Sequence, residues 1–279
     1  MSFQTTIARR IDYDGVGLHS GVMVHLSLMP APVDAGIVFV RRDLAGGPRI
    51  RAVAPHVTST VRATTLAEGG VRVFTVEHLM SALAAFGIDN CFVEMDAEEP
   101  PVADGSSLVF FTLLKEAGKV QQEKERREII IDRVYRIDDG DRFLIAVPYG
   151  EGLRVSFTSL NEHALVGTQY RDFIFRGDAY EKEIAPARTI AYEGEVDALK
   201  KAGLGLGGTL ENVIVYNDER WLNALRFPDE LVRHKILDLI GDIRLAGFVR
   251  GHIIAVKSGH ALNTQLAKAL YAAFESSAG

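Results

Sequence analysis

The segment FPDELVRHKILDLIGDIRLAG, Phe227 to Gly247, leaves this chain few choices. Leu231, Val232, Ile236, Leu239, Ile240 and Ile243 recur at helical spacing and make an apolar stripe too wide to leave in water. Pro228 suits a first helical position, Asp229 and Glu230 suit the positive end of the peptide dipole, and Gly247 supplies a stop. The pattern predicts one helix, buried along the stripe. Off that stripe, His234, Asp238 and Asp242 fall at i, i+4 and i+8, stacked along one face. A neutral imidazole and a carboxylate one turn apart can grip the same metal ion. The same pair also fits a solvated helix face. With 8 His and 37 Asp and Glu, about one such spacing arises by chance. The pair alone decides nothing.

Of the 279 residues, 47% are hydrophobic and 24% charged, enough apolar material for one large or two small globular domains. A net charge of −6 with no sustained basic stripe argues against nucleic-acid binding, although a local groove for an anionic small molecule is compatible with it. MSFQTTIARRIDYDG lacks the apolar core of a signal peptide, and no run approaches the roughly 20 apolar residues of a membrane span. A cytoplasmic protein without stable membrane insertion is expected. The single cysteine, Cys91, excludes an internal disulfide and fits a reducing cytosol; within CFVEM it reads as a buried small hydrophobe.

From Gln4 to about Leu66, short β-rich runs (TTIARRI, VMVHLSL, GIVFVRR, IRAVAPHV) alternate with Gly, Pro and Asp. GVGLHSG, Gly15 to Gly21, is either a hairpin connection or a loop that brings Leu18 and His19 to a site. A helix is predicted from Thr75, as N-cap, to Phe86, then a strand, IDNCFVEM. The turn AEEPPVADGSS leads to a second helix, Ser106 to Ala117, with Asp104 and Ser106 as turn and capping residues. VQQEKERRE, Val120 to Glu128, is polar and marks a boundary between a first domain, residues 1–122, and a second, residues 127–279. Beyond it strands recur, then an insert near 188–217, the central helix, strand HIIAVKS and a last helix from about Ala261 to Phe274. Both halves end helix–strand–helix with a His in or near the first helix. This predicts a duplicated α+β unit, a sheet on one side and two helices on the other, with His78 and His234 facing across the cleft.

Gly203, Gly205 and Gly208 match G-x-G-x-x-G, but a helix (EGEVDALKKA) precedes them and a strand (NVIVYN) follows. A dinucleotide site needs the reverse order, so a helix end running into a turn is the better reading. The chemistry concentrates elsewhere. Glu77 and His78 open one helix, His234 and Asp238 share another, and His260 in KSGHALN stands where strand meets helix. Two His and one Asp match a catalytic zinc that keeps a position for water, unless each His is a satisfied core or surface residue.

Taken together, GVGLHSG, TVEHLMSALAAFGIDN, RHKILDLIGD and KSGHALN closely resemble the UDP-3-O-acyl-N-acetylglucosamine deacetylases, zinc amidases of lipid A biosynthesis in Gram-negative-type bacteria. The resemblance spans about Ile7 to Leu270, with the four motifs in the family's order. It implies zinc on His78, His234 and Asp238, Glu77 as general base and His260 as acid. It further implies Thr189 as an oxyanion donor, Lys235 as a substrate contact, and two α+β two-layer sandwiches (ribosomal-protein-S5-domain-2-like) with the site between them. The implied reaction removes the N-acetyl group of UDP-3-O-(3-hydroxyacyl)-N-acetylglucosamine, as the committed step of lipid A synthesis, in a monomeric enzyme.

Physical chemistry adds its own roles. A carboxylate neighbour keeps a His charged, and Asp242 is the candidate for His260, unless it is a plain helix-surface acid. Lys235 either reaches substrate or snorkels. The family lines an acyl passage from its insert, which maps here to Ile190, Val196, Leu199, Leu204 and Leu206, unless these only anchor the insert helix. The chain departs from the family pattern at Ile190, often aromatic, at Arg142, often lysine but still able to reach phosphate, and in SLNEHALV. The loop joining Leu66 to Val71 is one residue short. Two other classes, a nucleotide-dependent oxidoreductase and an inactive sugar-nucleotide binder, remain open to test.

Overall fold

A computed structural model describes residues 2–278. In the first half come β1 (Phe3–Ile7), β2 (Ile11–Val16), β3 (Met23–Pro30), β4 (Ile37–Arg41) and β5 (Arg49–Arg51). Three short strands follow, β6 (Val57–Ser59), β7 (Thr65–Glu68) and β8 (Val71–Val73), then α1 (Glu77–Phe86), β9 (Cys91–Met95) and α2 (Leu108–Ala117). The second half contributes β10 (Lys119–Glu125), β11 (Glu128–Ile130), β12 (Tyr135–Asp139), β13 (Arg142–Val147), β14 (Leu153–Ser159) and β15 (Gln169–Ile174). An insert carries β16 (Ile190–Tyr192), α3 (Glu193–Lys201) and β17 (Ile214–Tyr216). After it come α4 (Glu230–Arg244), β18 (Phe248–Val256) and α5 (His260–Ala278). The protein is thus α+β.

The two large sheets share one strand order. The first runs β2-β3-β9-β4-β5; the second runs β12-β13-β18-β14-β15, with β11 beside β18. In each, the strand between two helices enters the middle. β9 lies antiparallel to β3 and parallel to β4, and β18 lies antiparallel to β13 and parallel to β14. Burial alternates strictly along β18, so Val249, Gly251, Ile253 and Ala255 face inward. The helices pack in a chain, α2 on α1, α1 on α4 and α4 on α5. One continuous set of buried apolar residues runs from Ile7 to Leu270 through both halves.

Helix α4 is at the centre, and it is buried almost all round; only Arg233 and Lys235 reach the surface in part. The sequence predicts one buried stripe. The polar face is covered as well, because α1 and α5 bring partners for its charges. α1 and α4 meet backbone to backbone at Gly241, where an added Cβ would lie 2.1 Å from the Glu77 carbonyl oxygen. No other residue fits this crossing.

Some local expectations change. α4 starts at Glu230 rather than Pro228, since Asp229 takes non-helical dihedrals (φ −111°, ψ 33°); the Glu230 carboxylate then accepts from the Arg188 amide and guanidinium. Thr75 does not cap α1: it sits in the left-handed region (φ 56°) and its hydroxyl donates to Glu99 Oε1 at 2.7 Å. VQQEKERRE is mostly strand rather than connection, because β10 pairs antiparallel with β1. The three residues of β16, paired parallel with β17, are too few to show a pattern in sequence. Among the described residues no helix is long and apolar enough to cross a membrane.

Candidate metal centre

Three buried side chains from two helices converge. One ligand atom each from His78, His234 and Asp238 lies within 4.8 Å of the others. Asp238 Oδ1 is 3.7 Å from His78 Nε2 and 3.4 Å from His234 Nε2, and the two rings meet edge to face with centroids 5.0 Å apart. His234 Nδ1 donates to the Ala187 carbonyl at 3.0 Å, so its Nε2 lone pair points at the cluster. Burial, followed by the neighbouring His234, pushes the His78 pKa down to about 3. Burial lowers His234 too, so both imidazoles are neutral, the state a ligand needs.

Asp238 completes the set. Although burial opposes ionisation, His234 and Lys235 hold its carboxyl well below the usual range. Lys235 Nζ donates to Oδ2 at 2.9 Å, while Oδ1, fully buried, has no hydrogen-bond partner among the described residues. An orphaned buried carboxylate oxygen is costly unless a cation meets it. Two neutral imidazoles and this oxygen fit a divalent metal such as zinc.

Next to this cluster sits an acid–base pair. Glu77 Oε1 is 3.8 Å from His260 Nε2, and Glu77 Oε2 accepts the Thr64 amide at 3.1 Å. Burial raises Glu77 to about 7, tempered by His260 and reinforced by Asp242. His260 moves to about 10: burial opposes its charge, but Asp242 and Glu77 outweigh it. Asp242 is fully buried, not a surface acid; it accepts from His260 Nδ1 at 2.9 Å, Asn263 Nδ2 at 2.9 Å and Thr64 Oγ1 at 2.6 Å. The bond to Nδ1 leaves His260 Nε2 facing Glu77.

Glu77, His78, His234, Asp238 and His260 line one cavity of about 1140 Å³; Asp242, Thr64 and Asn263 lie behind them, outside its lining. Thr189, Ile190, Leu18, Lys235 and Arg142 line it as well, Arg142 at an exposed rim where it pairs with Asp139. GVGLHSG is the connection of the β2–β3 hairpin, and it also brings Leu18 and His19 to the cavity, Leu18 packing against Val102 and Val213. Val196, Leu199 and Leu204 line the cavity; Leu206 does not, and is half exposed. The glycines from Gly203 follow α3 directly, with a helix rather than a strand immediately before them, and Gly203 and Gly205 take positive φ as turn residues do. Cys91 is buried, with its thiol pushed up to about 12 by burial, and plays no part in the site.

Sequence reasoning does not find Thr64, Asn263 or Glu99. The Glu99 carboxylate is fully buried and collects the His19 and Ser20 amides at 2.8 to 3.1 Å, so it shapes the GVGLHSG loop. It sits in the acidic turn AEEPP, where composition reads as solvent-facing. An apolar residue on each side of a Glu–Glu pair is the only signal available.

A buried His–His–Asp cluster with an adjacent carboxylate and imidazolium, opening on a deep cavity, is the arrangement of metal-dependent hydrolases. The family model for UDP-3-O-acyl N-acetylglycosamine deacetylase matches residues 4–272. The UDP-3-O-acyl-N-acetylglucosamine deacetylase of Acidithiobacillus ferrooxidans is 46% identical over 272 residues, 96% of this chain and 89% of its own length. Those of Myxococcus xanthus and a Shewanella strain are 47% and 42% identical, over 95% and 98% of this chain and 85% and 90% of their own. The chain belongs to the UDP-3-O-acyl N-acetylglycosamine deacetylase family.

Proposed function

We propose that this chain is a zinc-dependent amidase that removes the N-acetyl group from UDP-3-O-(3-hydroxyacyl)-N-acetylglucosamine, yielding acetate and a free amine in lipid A synthesis. The observation that carries the metal part is the orphaned Asp238 Oδ1 between two neutral imidazoles. Family membership carries the substrate. The common strand order of the two sheets supports two like α+β units, residues 1–122 and 127–279, with the cavity between them.

His78, His234 and Asp238 hold the metal. When bound, zinc supplies a Lewis acid and makes a water acidic near neutral pH. Glu77 Oε1 takes the proton from the attacking water, since a pKa near 7 balances being ionised against being basic. His260 Nε2 delivers a proton to the departing amine, and Asp242 keeps it charged for that purpose. Thr189, which lines the same cavity, is assigned as a donor to the developing oxyanion. Lys235 and Arg142 are assigned to substrate, with phosphate the partner for Arg142. The apolar lining at Leu18, Ile190, Val196, Leu199 and Leu204 takes the acyl chain.

Two measurements check this. A strong chelator is expected to abolish acetate release and one equivalent of zinc to restore it; persistent activity in metal-free protein would rule the metal role out. Asp242→Asn removes the charge that raises His260, so the His260 pKa falls. The alkaline limb of the kcat profile should then move about one pH unit or more to lower pH. An unmoved limb means that His260 is not the proton donor.

A further inference from the structure

At the C-terminal end of α1, away from the proposed metal centre, lies a second cavity of about 680 Å³ that shares no lining residue with the first. Four cations line it, Lys119, Arg126, Arg244 and Arg250, against one carboxylate, Glu128. Such a surplus is unexpected on a chain of net charge −6. Phe86, Leu153, Phe175 and Phe248 supply an apolar wall.

Part of the cluster has a structural task. Lys119 Nζ donates to the Phe86 carbonyl at 2.8 Å, Arg126 to Gly87 at 2.7 Å and Arg244 to Ile88 at 2.9 Å. Three successive carbonyls at the helix end are thereby satisfied. Arg126 also pairs with Asp89 at 2.6 Å, and Arg250 lies 3.7 Å from Glu128. These partners do not account for the whole charge. Arg244 is 9% exposed and, among the described residues, makes that one hydrogen bond and has no partner for its Nε. Both Arg126 and Arg244 stack on the Phe248 ring, at 3.9 and 4.3 Å from its centroid. Burial, with Arg126 adding to it, lowers Lys119; burial, only partly offset by Asp89, brings Arg244 down to about 10, so these cations gain from a further countercharge.

We propose that this cavity is a binding site for a small oxyanion, carboxylate or phosphate, carried on a compact apolar body. Lys119, Arg126 and Arg244 would meet the anion, and the phenylalanines would cover the body. The site touches the same two helices that carry Glu77, His78, His234 and Asp238, through Ala84 to Gly87 of α1 and its cap and Ile240, Ile243 and Arg244 of α4.

The test is calorimetric titration of the zinc-loaded full chain with phenyl phosphate, benzoate and benzyl alcohol. Saturable binding of an anion but not the alcohol is expected, and the tighter of the two anions identifies the headgroup. Lys119→Met and Arg244→Gln should each weaken it about tenfold or more, whereas Lys235→Ala, in the first cavity, should not. Lys119 is partly exposed, so its variant remains informative if Arg244→Gln folds poorly. Equal binding of the alcohol, no binding of either anion, or a loss caused by Lys235→Ala and not by Lys119→Met overturns the proposal.

Discussion

Glu77→Gln is expected to lower turnover by about a hundred- to ten-thousand-fold while zinc content stays at one per chain. The two side chains are of equal size, and Glu77 is not one of the three clustered ligand atoms, so the metal site keeps its three ligand atoms. What is lost is the ability to accept a proton, together with the negative charge that faces His260 at 3.8 Å. The amide oxygen can still accept the Thr64 N–H that Glu77 Oε2 accepts at 3.1 Å. Metal analysis alongside single-turnover acetate release separates the outcomes. If zinc and rate fall together, Glu77 is structural; if neither falls, the base lies elsewhere.

Gly241→Ala is expected to destabilise the protein and weaken zinc binding, although alanine favours a helix over glycine by about 1 kcal/mol. The added Cβ would meet the Glu77 carbonyl oxygen at 2.1 Å, its carbon at 2.8 Å and its Cα at 3.0 Å. These are backbone atoms, so no rotamer relieves the clash, and overpacking of this kind costs about 1 to 3 kcal/mol or more. The helices must separate, and separation moves Glu77 and His78 away from His234 and Asp238. Gly150→Ala is the control: nothing lies within 4 Å of its Cβ, and a change within about 0.5 kcal/mol is expected. Thermal melts with and without zinc read both effects. A Gly241→Ala protein with wild-type melting temperature and zinc affinity would show that the crossing tolerates a methyl group.

Much of the site is legible in sequence because its core is local. His234, Asp238 and Asp242 are set by helical spacing within one apolar-striped segment, and Glu77 and His78 are adjacent. Their meeting is not legible from spacing; it follows from the repeat of helix–strand–helix in both halves, and the motifs supply the rest. What escapes has long-range causes. Thr64 bonds Asp242 across 178 positions, and Glu99 bonds the loop at His19 across 80. No local pattern distinguishes a threonine or glutamate that will be buried from one that stays wet. The burial of the polar face of α4 escapes for the same reason, since its partners arrive from α1 and α5.

The proposed ligands at 78, 234 and 238 come from two helices far apart in sequence, α4 contributing two and α1 one. The complete set therefore exists only where α1 docks on α4, and zinc would join a site that tertiary packing assembles, in contrast to small domains that fold around their ion.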